Sequence, residues 1–227
     1  MDVCGRSGLC DLAAVADRGR RSITRRTQLE RTTKTRLALI DATIDVVNAR
    51  GYNGASTALI AERAGVSRGA ILHHFGTRAA LMAEVIVTVY RRENAQYHET
   101  VSSGRSGQRI ADWPTILWDV LSQPSGMAVL EILQATYSDP ELANDVVAMQ
   151  AVVENEALAA MRSNLGGNQE EARALMRLMV WSVRGLSIAN RLMPDRDATR
   201  AAITLLARLL HQSTPSGRID DLHSDPV

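Results

Sequence analysis

Among 227 residues there are only two cysteines, Cys4 and Cys10, and neither has a histidine beside it. Two thiols make at most one disulfide, and both fall in a leader of Gly, Ser and Arg with no core to hold the geometry. They read as free thiols in a reducing compartment, too few for a four-ligand zinc site, so no metal is expected. No apolar run approaches the ~18 residues of a membrane span, since the DLAAVA stretch from Asp11 to Ala16 is short and bounded by charge. The expectation is a soluble, cytoplasmic protein without membrane contact. HExxH and a glycine-rich phosphate loop are also missing, which leaves a helical enzyme as a remote alternative and gives no reason to expect a cofactor. No segment reads as strand, and no internal repeat is found.

What is present is charge set apart along the chain. Fifteen basic residues face 10 acidic ones up to position 100, against 11 and 15 afterwards, within a net charge of +1. A basic amino-terminal part is what an anionic partner requires, because counterions released from phosphates drive attachment. From Arg18 to Arg36 there are eight basic residues and one acidic, without helical apolar spacing, so residues 1–32 read as a disordered basic leader.

From Leu37 onward the pattern is helical throughout. Leu37, Ile40, Ile44 and Val47 recur at three and four residue steps, and Gly51 stops that helix. Ser56 or Thr57 caps a short second helix ending at Gly65, and Ser67 is placed to cap an equally short third one running to about His74. Leu81, Val85 and Val89 mark a fourth that reaches a 102–107 linker. Further helices are expected near Asp112 to Ser122, Gly126 to Tyr137, Pro140 to Leu165, Glu170 to Met193 and Asp197 to His211. The tail, 214–227, carries Pro215, Gly217, Pro226 and scattered charge, and reads as disordered. The fold class is therefore all-α with about nine helices: a helix-turn-helix domain over 33–94 and a larger helical domain over 95–213.

The stretch from Ser56 to Met82, with its motif at 56–75, concentrates the function. A helix-turn-helix needs small residues where its helices cross and a glycine at the turn, which Ala61, Ala64 and Gly65 supply. With Ile71 and Phe75 turned inward, the wheel turns Gly69, Ala70 and His73 outward beside Arg68. Arg68 is suited to the O6 and N7 of guanine, while Gly69 and Ala70 admit a close approach. Ser56, Thr57, Ser67, His74, Arg78 and Lys34, the only lysine, are candidates for phosphate.

These residues resemble something known. The stretch from Thr33 to Asn94 is similar to the DNA-binding domain of the TetR family of repressors, through Ile60-Ala61, Ala64-Gly65-Val66-Ser67, Gly69, and His74-Phe75 followed by Arg78 and Leu81. Leu72 stands where that family commonly places a tyrosine at the DNA backbone, and Arg78 where it places a lysine. The resemblance implies a helical second domain that dimerises through its last two long helices and loosens its hold on DNA when a small molecule binds.

Helical periodicity adds candidates to both roles. Leu186 belongs to the apolar stripe of one helix, which Leu178 and Leu192 widen, and Leu206, Leu209 and Leu210 give the next an apolar face; together they suit an isologous four-helix bundle. Trp113, Trp118, Met127, Leu130, Met149, Met161, Met176 and Trp181 are candidate lining for a largely apolar effector. Arg173, Arg177, Arg184 and Arg191 share one wheel face and read as a wet stripe. The expected function is a sequence-specific regulator whose partners are a palindromic double-stranded operator, a second copy of the chain and a small-molecule effector. An effector-independent regulator or activator is the alternative.

Overall fold

The computed structural model describes residues 10–104 and 107–223, with side chains from residue 28 onward except at 148 and 223. Among the described residues it is all-α, with nine α-helices: α1 Cys10–Gly54, α2 Thr57–Ala64, α3 Arg68–Phe75, α4 Arg78–Ser102, α5 Trp113–Leu121, α6 Pro124–Ala135, α7 Pro140–Leu165, α8 Gln169–Leu192 and α9 Arg196–Ser213. No helix among them is long and apolar enough to cross a membrane.

Local chemistry sets most of the boundaries. Gly51, at φ 71° and ψ 171°, breaks the end of α1, a conformation that suits a residue without a Cβ. The Oγ of Ser56 accepts from the Leu59 N–H at 3.3 Å and starts α2. Left-handed Gly65 ends it, its N–H directed at the carbonyls of Ala61 and Glu62. Ser67 occupies the cap position of α3, but its hydroxyl makes no capping bond there. At the start of α7 the side chain of Asp139 accepts from the Leu142 N–H, with Pro140 in the first turn, where its missing donor costs nothing.

Helices of eight residues do not persist alone, so α2 and α3 are held by packing. Ile60 and Ile71 are fully buried against Leu39, Val47, Leu81 and Met82. This first core continues into α6, through Ala128, Val129 and Ile132, and into the first turns of α7, through Leu142 and Val146. A second core gathers Leu117 and Leu121 of α5, Leu158, Met161 and Leu165 of α7, Leu175, Met179 and Val183 of α8, and Leu210 of α9.

Three expectations are corrected. The backbone is helical from Cys10, where a disordered leader through residue 32 was expected; arginine is a good helix former, and a helix anchored by packing at Leu39 and Ile40 extends at small cost. Residues 1–9, with Cys4, and the thiol of Cys10 lie outside the described residues. The boundary at 94/95 falls inside α4, which runs without a break from the first core to the second. The tail is packed: Thr214 and Ile219 are fully buried, the Gly217 carbonyl accepts from the Ile110 N–H at 2.9 Å, and Asp221 Oδ2 accepts from both the N–H and the Oγ of Ser216 at 2.7 Å. One isoleucine among Pro, Gly and charge has no periodicity to show this.

Candidate nucleic-acid interface and ligand cavity

The third helix turns one side to the core and the other to solvent. Ile71 is buried and Phe75 half-buried beneath Arg36, whose guanidinium carbon lies 4.5 Å from the ring centroid and whose Nη1 donates to the His74 carbonyl at 2.6 Å. Ser67, Arg68, Gly69, Leu72 and His73 are exposed, with Ala70 half-buried between them. Leu72 is 67% exposed, and α3 holds no acidic residue. A Cβ built on Gly69 would meet only the Ser67 Oγ, at 3.9 Å, so the fold itself asks for no glycine there. This surface is open, uncharged or basic, and shallow at its centre.

The phosphate candidates divide. Ser56 is exposed and Thr57 half-buried at the start of α2, and Lys34 is exposed on α1. Burial first, then the charges of His73 and Arg36, hold His74 below the ordinary histidine pKa. Its neutral form is favoured accordingly. Arg78 has another occupation: its Nε donates to the Ala55 carbonyl at 3.0 Å, its Nη2 to the Tyr52 carbonyl at 2.5 Å, and its guanidinium carbon sits 4.0 Å from the Tyr52 ring centroid. The arginine expected at phosphate instead braces the end of α1 against the start of α4.

Between α4, α5, α7 and α8 lies a cavity of about 180 Å³. Of the expected lining, Trp113, Met161, Met176 and Trp181 border it. The rest is corrected: Trp118 packs half-buried on the second core, Met127 and Leu130 are buried away from the cavity, and Met149 leans on the first core. A helical wheel tells which residues share a face, not what that face meets.

Sequence reasoning missed the polar centre of this cavity. Glu93 of α4 is 8% exposed, and burial pushes its carboxyl up to about 7, against the opposing pull of Arg184. Burial likewise raises Tyr97, with Glu93 adding to the effect. Three shielded atoms here have no hydrogen-bond partner: Glu93 Oε1, Trp113 Nε1 and Arg184 Nη1. Arg184 belongs to the stripe expected to be wet, yet it borders the cavity, whereas Arg177 and Arg191 are exposed as expected and Arg173 is half-buried. Arg177 meets Glu154 at 2.9 Å, Arg173 meets it at 3.5 Å, and Arg191 donates to the Asn48 carbonyl at 2.8 Å.

Of the expected dimer contacts, Leu178, Leu192 and Leu209 are exposed and Leu186 is half-buried. Leu206 leans on the second core, and Leu210, 6% exposed, lies within it, which removes Leu210 from any interface. The exposed side of α8 runs through Ala174, Leu178, Trp181, Gly185, Ala189 and Leu192, and that of α9 through Ala201, Leu205 and Leu209.

Residues 39–85 match the model of the bacterial regulatory proteins of the tetR family. An uncharacterized HTH-type transcriptional regulator of Mycobacterium tuberculosis is 28% identical over 194 residues, 82% of this chain and 97% of that one. The HTH-type transcriptional regulator CymR of Pseudomonas putida is 28% identical over 181 residues, 76% of this chain and 87% of its own. Among solved structures, a transcriptional regulator from Rhodococcus sp. Rha1 superposes with a TM-score of 0.58 at 24% identity, covering 78% of this chain and 96% of that one.

Proposed function

We propose, for a chain that belongs to the tetR family of bacterial regulatory proteins, that this DNA-binding transcriptional regulator is a homodimeric repressor released from a palindromic operator by a small molecule. The observation that carries this reading is the exposed, acid-free outer side of α3, held on a scaffold whose fourth helix continues to the cavity. Arg68 opens that side, where a guanidinium meets the O6 and N7 of guanine, and Gly69 lets the helix come close. Two copies joined along the exposed stripes of α8 and α9 present two such helices to successive major grooves, about 34 Å apart.

Release follows from how α4 is placed. It packs on α3 through Leu81 and Met82 and reaches the cavity through Tyr90, Glu93 and Tyr97, so a ligand that shifts it alters the spacing of the recognition helices. A 100-fold weakening needs about 2.7 kcal/mol of coupling, within reach of one buried ligand. The regulator acts in the cytoplasm without catalysis of its own, in keeping with relatives named as transcriptional regulators.

Fluorescence anisotropy with the DNA upstream of the coding sequence tests the reading. Saturable binding that survives a large excess of shuffled duplex supports it, and equal affinity for both duplexes contradicts it.

A further inference from the structure

We infer that the cavity takes a compact apolar molecule bearing a single carboxylate, held by Arg184 Nη1 and Trp113 Nε1 beside Glu93. The inference rests on the reading of the cavity as the effector site and adds the ligand's chemistry. A shielded polar atom without a partner costs about 1–3 kcal/mol, so three around one space call for an occupant that supplies partners.

Charge selects among occupants. The guanidinium of Arg184 stays protonated, while Glu93 changes charge near neutrality because of its burial. An entering carboxylate therefore meets a fixed positive charge and two donors, and Glu93 takes up a proton and becomes a third. An entering ammonium meets a positive charge that cannot be discharged. Glu154 offers Arg184 no relief, being engaged by Arg177 and Arg173. Leu117, Leu121, Val153 and Val180 give most of the remaining surface an apolar character, interrupted by Asn94, Gln150 and Asn164. The volume of about 180 Å³ exceeds the ~150 Å³ that admits benzene, which suits one ring with a short chain.

The titratable and charged groups that share the cavity with Glu93 are Tyr90 and Tyr97 of its own helix, Glu154 of α7, and Arg177 and Arg184 of α8, of which Arg184 pulls directly against the raised carboxyl. His98 also borders the space, so the assignment to Glu93 depends on a variant that cannot titrate.

Calorimetric titration of the full chain with 3-phenylpropionate, 3-phenylpropanol and 3-phenylpropylamine, at pH 6 and pH 8, separates the outcomes. The acid is expected to bind at least about tenfold more tightly than the others and to weaken about tenfold between pH 6 and pH 8, as Glu93 loses its proton. Glu93→Gln should bind the acid equally at both pH values, and Arg184→Met should lose at least about tenfold for the acid alone. Should Arg184→Met fail to fold, the Glu93→Gln comparison still decides. The alcohol or amine binding as tightly as the acid overturns the inference and leaves the cavity an effector site. No binding by any of the three overturns the inference and the effector reading together, while operator binding stands on its own measurement.

Discussion

Tyr52 donates its phenolic hydrogen to Asp139 Oδ2 at 2.5 Å, a bond between residues 87 apart that ties the end of α1 to the cap of α7. The same tyrosine lies under Arg78, and the other carboxylate oxygen of Asp139 accepts from the Leu142 N–H. The base of the recognition module and the first turn of a cavity-lining helix thus share one small polar cluster.

This cluster has a pH signature. The hydrogen bond from Tyr52, then that from Leu142, holds Asp139 below its ordinary value of 3.8, so its contribution is present at neutral pH and is lost as pH falls below that value. Burial, then Asp139, pushes Tyr52 up to about 12, so its share is lost as pH rises from 10 toward 12. Tyr52→Phe should cost roughly 1–3 kcal/mol in urea unfolding at pH 7 and distinctly less near pH 3, below the ordinary aspartate value, where the unfolded chain's Asp139 has taken up its proton. An equal cost at both pH values would show that the bond contributes nothing.

Arg68 and Arg78 are both arginines at helix starts, and the structure separates them. Arg78→Ala removes donors from two carbonyls and should lower stability by about 2–3 kcal/mol in thermal unfolding. Arg68→Ala, from an exposed position, should leave the melting temperature within error and relax base preference at one half-site position by about 1–3 kcal/mol. Unfolding curves and selection from randomised half-sites check the pair; matching behaviour in both assays would refute the division.

Gly69 offers the opposite trade. A methyl group there meets only the Ser67 Oγ, at ordinary contact distance, and should raise helix stability by up to ~1 kcal/mol, yet on the proposed reading it stands where α3 approaches DNA. Gly69→Ala is expected to melt higher and to bind the operator several-fold more weakly. Higher stability with undiminished binding would place DNA elsewhere.

The exposed leucines of the last two long helices should behave as interface. Leu178→Glu and Leu209→Glu, 58% and 51% exposed, put charge into an apolar contact without touching the core. Sedimentation velocity should show monomers that remain folded, and operator affinity should fall sharply with them. Unchanged dimers would move the interface off this surface.

What the sequence discloses follows the range of the interaction. Ser56, Gly65 and Asp139 act on backbone within a few residues, so the ends of α2 and the start of α7 are legible from composition alone. The outward set on α3 follows from periodicity once Ile71 is turned inward. Glu93 and Arg184 are far apart along the chain, and neither carries a local mark of the shared cavity; the wheel grouped Arg184 with its exposed stripe and missed that this one member borders the cavity. Arg78 is similar: a basic residue after a recognition helix suggests phosphate until the carbonyls of Tyr52 and Ala55 are seen beside it. Ile219 is legible only from its place in the second core.

Methylation interference at guanine N7 on the upstream DNA examines the reading of α3 most directly. The wild-type protein should be blocked by methyl groups in two clusters one helical turn apart, and Arg68→Ala should lose sensitivity at one guanine in each cluster. Interference that is absent, or identical in wild type and Arg68→Ala, would contradict the placement of this helix in the major groove.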